Sequence, residues 1–156
     1  MQNRFTRKSA AVCAIVYALA LTGSIVTRLL SLKLVPREGV TVIRNVLSLR
    51  LTRNTGAAFS FLQESPAAAG IISGIVLIGV ILFLLMGRMR NICRYALCAV
   101  AAGGADNLAS RIISGAVTDM FRLDFISFPV FNFADICVTL GVIVFAVFYL
   151  TDKGAA

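Results

Sequence analysis

The 156-residue chain contains no histidine. That absence removes Ser-His and Cys-His catalysis and the commonest metal ligand. Charge is scarce too: 14% of the residues are Asp, Glu, Lys or Arg, where a soluble domain carries about 25%. No basic run is interleaved with aromatics, so the net charge of +8 marks no nucleic-acid surface. CxxC spacing is missing as well. Cys13, Cys93, Cys98 and Cys137 lie in or beside apolar segments and read as small buried hydrophobes, so neither a disulfide nor a metal site is expected. No repeat or low-complexity segment breaks the chain, whose length suits one domain over residues 1–156.

What is present is apolar sequence. A hydrophobic content of 59% and a mean hydropathy of +0.91 point to an integral membrane protein. The pattern predicts four transmembrane helices, over about residues 10–32, 66–87, 95–110 and 132–151. The basic start (Arg4, Arg7, Lys8) before an apolar run has the look of a signal peptide. That run is long for one and further spans follow, so it is read as a retained helix. In the second span Gly70, Gly74 and Gly79 recur at helical spacing, which would let a neighbouring helix approach closely.

Two polar inserts, over about residues 33–65 and 111–131, separate the spans. In the first, Leu47, Leu49 and Leu51 alternate with Ser48, Arg50 and Thr52, and Val40 and Val42 flank Thr41. A period of two predicts strands. The expected fold class is therefore all-α integral membrane, with a small extracytoplasmic β-sheet between helices one and two. The N-terminal basic cluster and the Arg88–Arg94 link fall on one side of a four-span chain. By the positive-inside rule that side, with both termini, is the cytoplasm, although the first insert is basic too. Asn54, Asp106, Asp119 and Asp135 then converge at the outer face.

Asp119 and Asp135 sit beside apolar spans, where an acid is costly. Two carboxylates brought together share a proton. One can activate water while the other protonates a carbonyl oxygen or a leaving group, with no cofactor. Taken singly, each residue has a plainer explanation. Asp119 reads as a solvated loop acid or the cap of a helix beginning at Met120, and Asp135 as a first-turn acid favoured by the helix dipole. Asn54 suits a turn and Arg111 a snorkelling anchor. Intramembrane acids also serve ion pathways, so a small proton or cation transporter is a rival reading. It would place charges deep in several spans, and spans one, two and four lack them.

Four blocks carry a resemblance: NTGAAFSFL from Asn54, GGADNLASR from Gly103, GAVTDMF from Gly115 and FPVFNFADICVTLG from Phe128. In their order, spacing and four-span layout the chain resembles the lipoprotein signal peptidases (signal peptidase II) over nearly its whole length. The resemblance implies an intramembrane aspartyl endopeptidase. Such an enzyme removes the signal peptide from diacylglyceryl-modified prolipoproteins, cutting before the lipidated cysteine. It implies Asp119 and Asp135 as the catalytic pair, with Asn54, Gly103, Asn107, Arg111 and Asn132 contacting or orienting the substrate. It also implies a mobile flap after Asp119, block by globomycin-type cyclic peptides, and residence in the bacterial cytoplasmic (inner) membrane among its lipids. A monomer is expected, with no cofactor.

The chain departs from the family pattern on one theme. The aspartate usual in the first span is Ser24, followed by Arg28 for lysine. The aspartate usual before Arg111 is Ser110, and the glycine usual before Asn107 is Asp106. Asp106 and Ser110 lie one helical turn apart on one face. Asp106 is therefore expected to supply the carboxylate that Ser110 lacks, pairing with Arg111 or another site group. The same departures keep a second rival open, a weakened or inactive homologue that binds lipoprotein precursors.

Overall fold

The computed structural model describes residues 6–56 and 66–153. Within the first sequence block, residues 57–62 lie outside the described residues. The elements run α1 (Arg7–Leu34), β1 (Val40–Ile43), β2 (Leu47–Asn54), α2 (Pro66–Met86), α3 (Asn91–Ser114), β3 (Val117–Leu123) and α4 (Phe133–Lys153).

Among the described residues three helices are long and apolar enough to cross a membrane: Arg7–Leu34, Ala67–Met86 and Phe133–Thr151, with mean hydropathies of 2.0, 2.8 and 2.3. Their packing inverts the soluble pattern. On α1 the buried residues are Ser9, Cys13, Ser24 and Ser31, while Ile15, Leu19 and Leu29 are exposed. Small and polar groups inside, with large apolar groups outside, suit helices whose surroundings are hydrocarbon.

At the centre stands α3, packed against α1, α2 and α4. Because the other helices enclose it, α3 need not be apolar around its whole circumference, and it carries Asp106, Asn107 and Arg111. Its approach to α4 is close. A Cβ on Gly103 would lie 2.5 Å from the Ala134 carbonyl oxygen, and one on Gly141 would lie 2.8 Å from that of Ala96. The glycines expected to play this part do not. A Cβ on Gly70 or Gly79 of α2 would meet no other element within 4 Å among the described residues, and one on Gly74 would meet Leu108 at 3.9 Å. Helical spacing told which residues share a face of α2, not whether a neighbour covers that face.

The sheet is antiparallel in the order β1-β2-β3. β1 and β2 form a hairpin with Asn45 in the left-handed region (φ 61°), which asparagine tolerates better than most residues. β2 pairs with β3 from Leu47 opposite Leu123 to Asn54 opposite Val117. The expected sheet between helices one and two is thus completed by a strand from beyond α3. This also corrects the local reading of Asp119, which is neither a loop acid nor a helix cap but an inward residue of β3. A buried acid in place of an apolar residue hides the strand's period of two. Gly115 makes the tight join from α3 to β3: its φ is 71°, and its N–H donates to the Arg111 carbonyl at 2.9 Å.

Candidate active site

The site is built outward from β3. Asp119 is 1% exposed. On one flank, β2 ends at Asn54, whose Nδ2 donates to Asp119 Oδ2 at 2.9 Å. On the other, Phe131 pairs with Phe121 through main-chain hydrogen bonds, including Phe121 N–H to Phe131 O at 2.8 Å. That pairing delivers the next residue, Asn132, whose Nδ2 donates to Asp119 Oδ1 at 2.7 Å.

Asn132 also starts α4. Its Oδ1 accepts from the Asp135 N–H at 2.9 Å, while its own N–H donates to Asp135 Oδ2 at 3.1 Å. This reciprocal pair has the logic of a capping box and fixes Asp135 in the first helical turn. From α3, Asn107 Nδ2 donates to Asp135 Oδ1 at 2.8 Å, and its Oδ1 accepts from Asn132 Nδ2 at 3.2 Å. Three asparagines from three elements therefore satisfy all four oxygens of the two carboxylates.

The environments of the two acids differ. Asp135 and Asn54 line a cavity of about 680 Å³, together with Asn107 and Arg111. Asp119 lies beneath Asn54 and Asn132. Burial pushes its carboxyl up to about 6; the amides of Asn132 and Asn54 oppose the rise, the Asp135 charge adds to it and Arg111 lowers it. Arg111 donates from Nη2 to the Gly56 carbonyl at 3.0 Å and from Nη1 to that of Asn107 at 3.3 Å. Its buried Nε has no partner among the described residues.

The rest of the cavity is apolar and runs between α2 and α4. Those helices touch at one end, where Phe83 meets Phe145 at 5.8 Å and Tyr149 at 6.0 Å between ring centroids. They part towards Asp135, leaving a trough walled by Val76 and Val80 on one side and Ile136 and Leu140 on the other. Phe128, Pro129 and Phe131 close its head.

Among the residues singled out from sequence, Asp119, Asp135, Asn54, Asn107, Asn132 and Arg111 come together. Gly103 is buried against Ala134, and its neighbour Gly104 is the glycine on the cavity wall. Asp106 turns away from Arg111. It pairs instead with Arg28 of α1, Nη1 to Oδ1 at 2.9 Å. Arg28 was marked only as the arginine standing where the family has lysine, and nothing in the local sequence tied it to Asp106.

Fold and site together define a helical membrane protein with two carboxylates held at the head of an apolar trough. The fold is similar to that of a bacterial membrane enzyme solved in meso at 2.3 Å. The TM-score is 0.85, over 98% of this chain and 94% of that one, at 24% identity. The sequence goes further. Residues 9–151 match the signal peptidase (SPase) II family, and the chain belongs to that family. Its relatives include the lipoprotein signal peptidase of Streptococcus pneumoniae, 38% identical over 112 residues, covering 71% of this chain and 73% of the relative. That of Lactiplantibacillus plantarum is 40% identical over 114 residues, covering 72% and 75%.

Proposed function

We propose that this protein is an aspartyl endopeptidase that removes the signal peptide from diacylglyceryl-modified prolipoproteins, cutting before the lipidated cysteine. The observation that carries the reading is the pair Asp119 and Asp135, joined through Asn132 at the head of an apolar trough. An apolar signal helix enters the trough from the bilayer, and the acyl chains stay among the lipids. Asn54, Asn107 and Arg111 meet the substrate backbone at the polar end, and Gly103 keeps α4 close enough for this geometry.

Burial favours the protonated form of Asp119, which is therefore assigned the acid role, and Asp135, which lines the cavity, is assigned the base. Asp135 takes a proton from water as the oxygen attacks the scissile carbonyl, and Asp119 gives its proton to the carbonyl oxygen. Collapse of the tetrahedral intermediate sends the Asp135 proton to the leaving amine and returns the other to Asp119. Amide donors beside the pair steady the developing oxyanion.

The site lies at the outer face of the bacterial cytoplasmic membrane, with four spans and both termini inside. Pairing of β2 with β3 supports the count: a chain that leaves the sheet through α2 returns to it through α3. The test is cleavage of a diacylglyceryl prolipoprotein by purified protein in lipid, read on a gel. Cleavage blocked by a globomycin-type peptide, and abolished in folded Asp119→Asn and Asp135→Asn, is expected. Substantial turnover by either variant would sink the dyad.

A further inference from the structure

α1 and α3 meet through a polar cluster behind Asn107, in which Asp106, Ser24 and Ser110 are buried. Asp106 is 5% exposed, Ser24 3% and Ser110 9%. Arg28 Nη1 lies 2.9 Å from both oxygens of Asp106 and 2.6 Å from Ser110 Oγ. Ser24 Oγ donates to Asp106 Oδ2 at 2.6 Å. One carboxylate and one guanidinium thus neutralise each other, and two hydroxyls complete the set.

Helix geometry links this cluster to the site. Asp106 and Ser110 form one stripe of α3, facing α1. Asn107 and Arg111 form the next, rotated by about 100°. Whatever holds the first stripe against α1 fixes the rotation of α3 about its own axis. That rotation aims Asn107 at Asp135, 2.8 Å away, and sets Arg111 on the cavity wall.

We propose that Asp106 is a positioning residue, and that its carboxylate could be supplied equally from Ser24 or Ser110. By holding Arg28 it orients α3 and so keeps Asn107 on Asp135. The cluster needs one carboxylate within reach of Arg28, not one at position 106. Ser24 and Ser110 touch the same ion pair, so an aspartate at either place meets the same guanidinium. Removing the charge without replacing it leaves the partly buried Arg28, 23% exposed at its side chain, without its carboxylate partner, which is costly.

The kinetic part of the test rests on the peptidase reading; the thermal part does not. Parent, Asp106→Asn, Asp106→Asn/Ser110→Asp and Asp106→Asn/Arg28→Gln are purified in lipid-containing detergent. Each is assayed for Tm and for cleavage of a diacylglyceryl prolipoprotein. Asp106→Asn is expected to lower Tm by about 5 °C or more. It should lower kcat about 10- to 100-fold with KM nearly unchanged, because a misaimed Asn107 affects the reacting groups more than the trough. Adding Ser110→Asp should restore both quantities, and adding Arg28→Gln should restore Tm alone. The relocation variant is built directly, so it stays informative even where Asp106→Asn fails to fold. Parental Tm and kcat in Asp106→Asn would overturn the proposal, as would failure of Ser110→Asp to restore them. A lowered Tm with unchanged kcat would overturn the positioning role. A parent that cleaves nothing would refute the peptidase reading instead, and the Tm pattern would still decide whether the charge can be relocated.

Discussion

Asn132 Nδ2 lies 2.7 Å from Asp119 Oδ1, while the rest of the same residue grips Asp135. One amide therefore sets the relation between two acids that come from a strand and a helix. Asn132→Asp keeps the size and the capping oxygen but replaces a donor with a third carboxylate. Helix α4 should remain formed, with Tm within a few degrees of the parent, because aspartate caps as well as asparagine. Cleavage should fall about 100-fold or more, since misplaced reacting groups cost that much. Comparing kcat/KM with Tm checks this; parental turnover in the folded variant would remove Asn132 from the machinery.

The Asp119 carboxyl offers a titration with two opposed perturbations. Its folded value, pushed up to about 6, lies above the about 3.9 of an unperturbed aspartate. The folded protein therefore holds the extra proton between those values, and this group's contribution to stability declines as pH rises from about 4 to about 6. Asn54→Ala removes a hydrogen bond that favours the ionised form, so the midpoint should rise. Asp135→Asn removes a neighbouring negative charge, so the midpoint should fall. Infrared difference titration of the protonated carboxyl reads both. Shifts of the same sign in the two variants would contradict the assignment.

The apolar runs announced α1, α2 and α4, because hydrocarbon demands a long uncharged stretch whatever packs against it. The alternating leucines announced β2. β3 was hidden because its inward position is an acid, and acids on an inward face defeat a hydrophobicity period. The six polar residues that come together were legible as a family pattern, yet Asp119, Asp135, Asn54 and Arg111 taken singly each had an ordinary explanation. What brings them together is strand register and the Phe121–Phe131 bridge, which no local pattern encodes. Asp106 was noticed as a carboxylate out of place, but its partner came from α1, 78 residues away in sequence.

Glycine content misled in α2 and can be tested against α3. A methyl group at Gly103 would sit 2.5 Å from the Ala134 carbonyl, main chain that cannot step aside. Gly103→Ala should destabilise the protein by about 1–3 kcal/mol, the cost of overpacking, and disturb the α3–α4 approach that aligns Asn107 with Asp135. Gly79 faces open space, so Gly79→Ala should be neutral or stabilising by up to about 1 kcal/mol through helix propensity. Thermal unfolding of both in the same lipid-detergent mixture separates packing glycines from idle ones.

α3 carries Asp106, Asn107 and Arg111 and is less uniformly apolar than α1, α2 and α4. β2 precedes α2 and β3 follows α3, yet the two strands are hydrogen-bonded neighbours. Their pairing requires both to lie on the same side of the bilayer. α2 is long and apolar enough to cross once; a crossing there calls for one return crossing before β3, and we propose α3, the helix that lies between, for that return. Enclosure by α1, α2 and α4 makes such a crossing physically tolerable despite Asp106, Asn107 and Arg111, since each of these side chains hydrogen-bonds to other protein groups. In a cysteine-free background, a membrane-impermeant thiol reagent applied to intact cells should label Arg50→Cys and leave Arg90→Cys unlabelled until the membrane is opened. Labelling of both positions from outside would mean that α2 does not separate them. Labelling of Arg90→Cys alone would reverse the orientation and carry the active site to the cytoplasmic face.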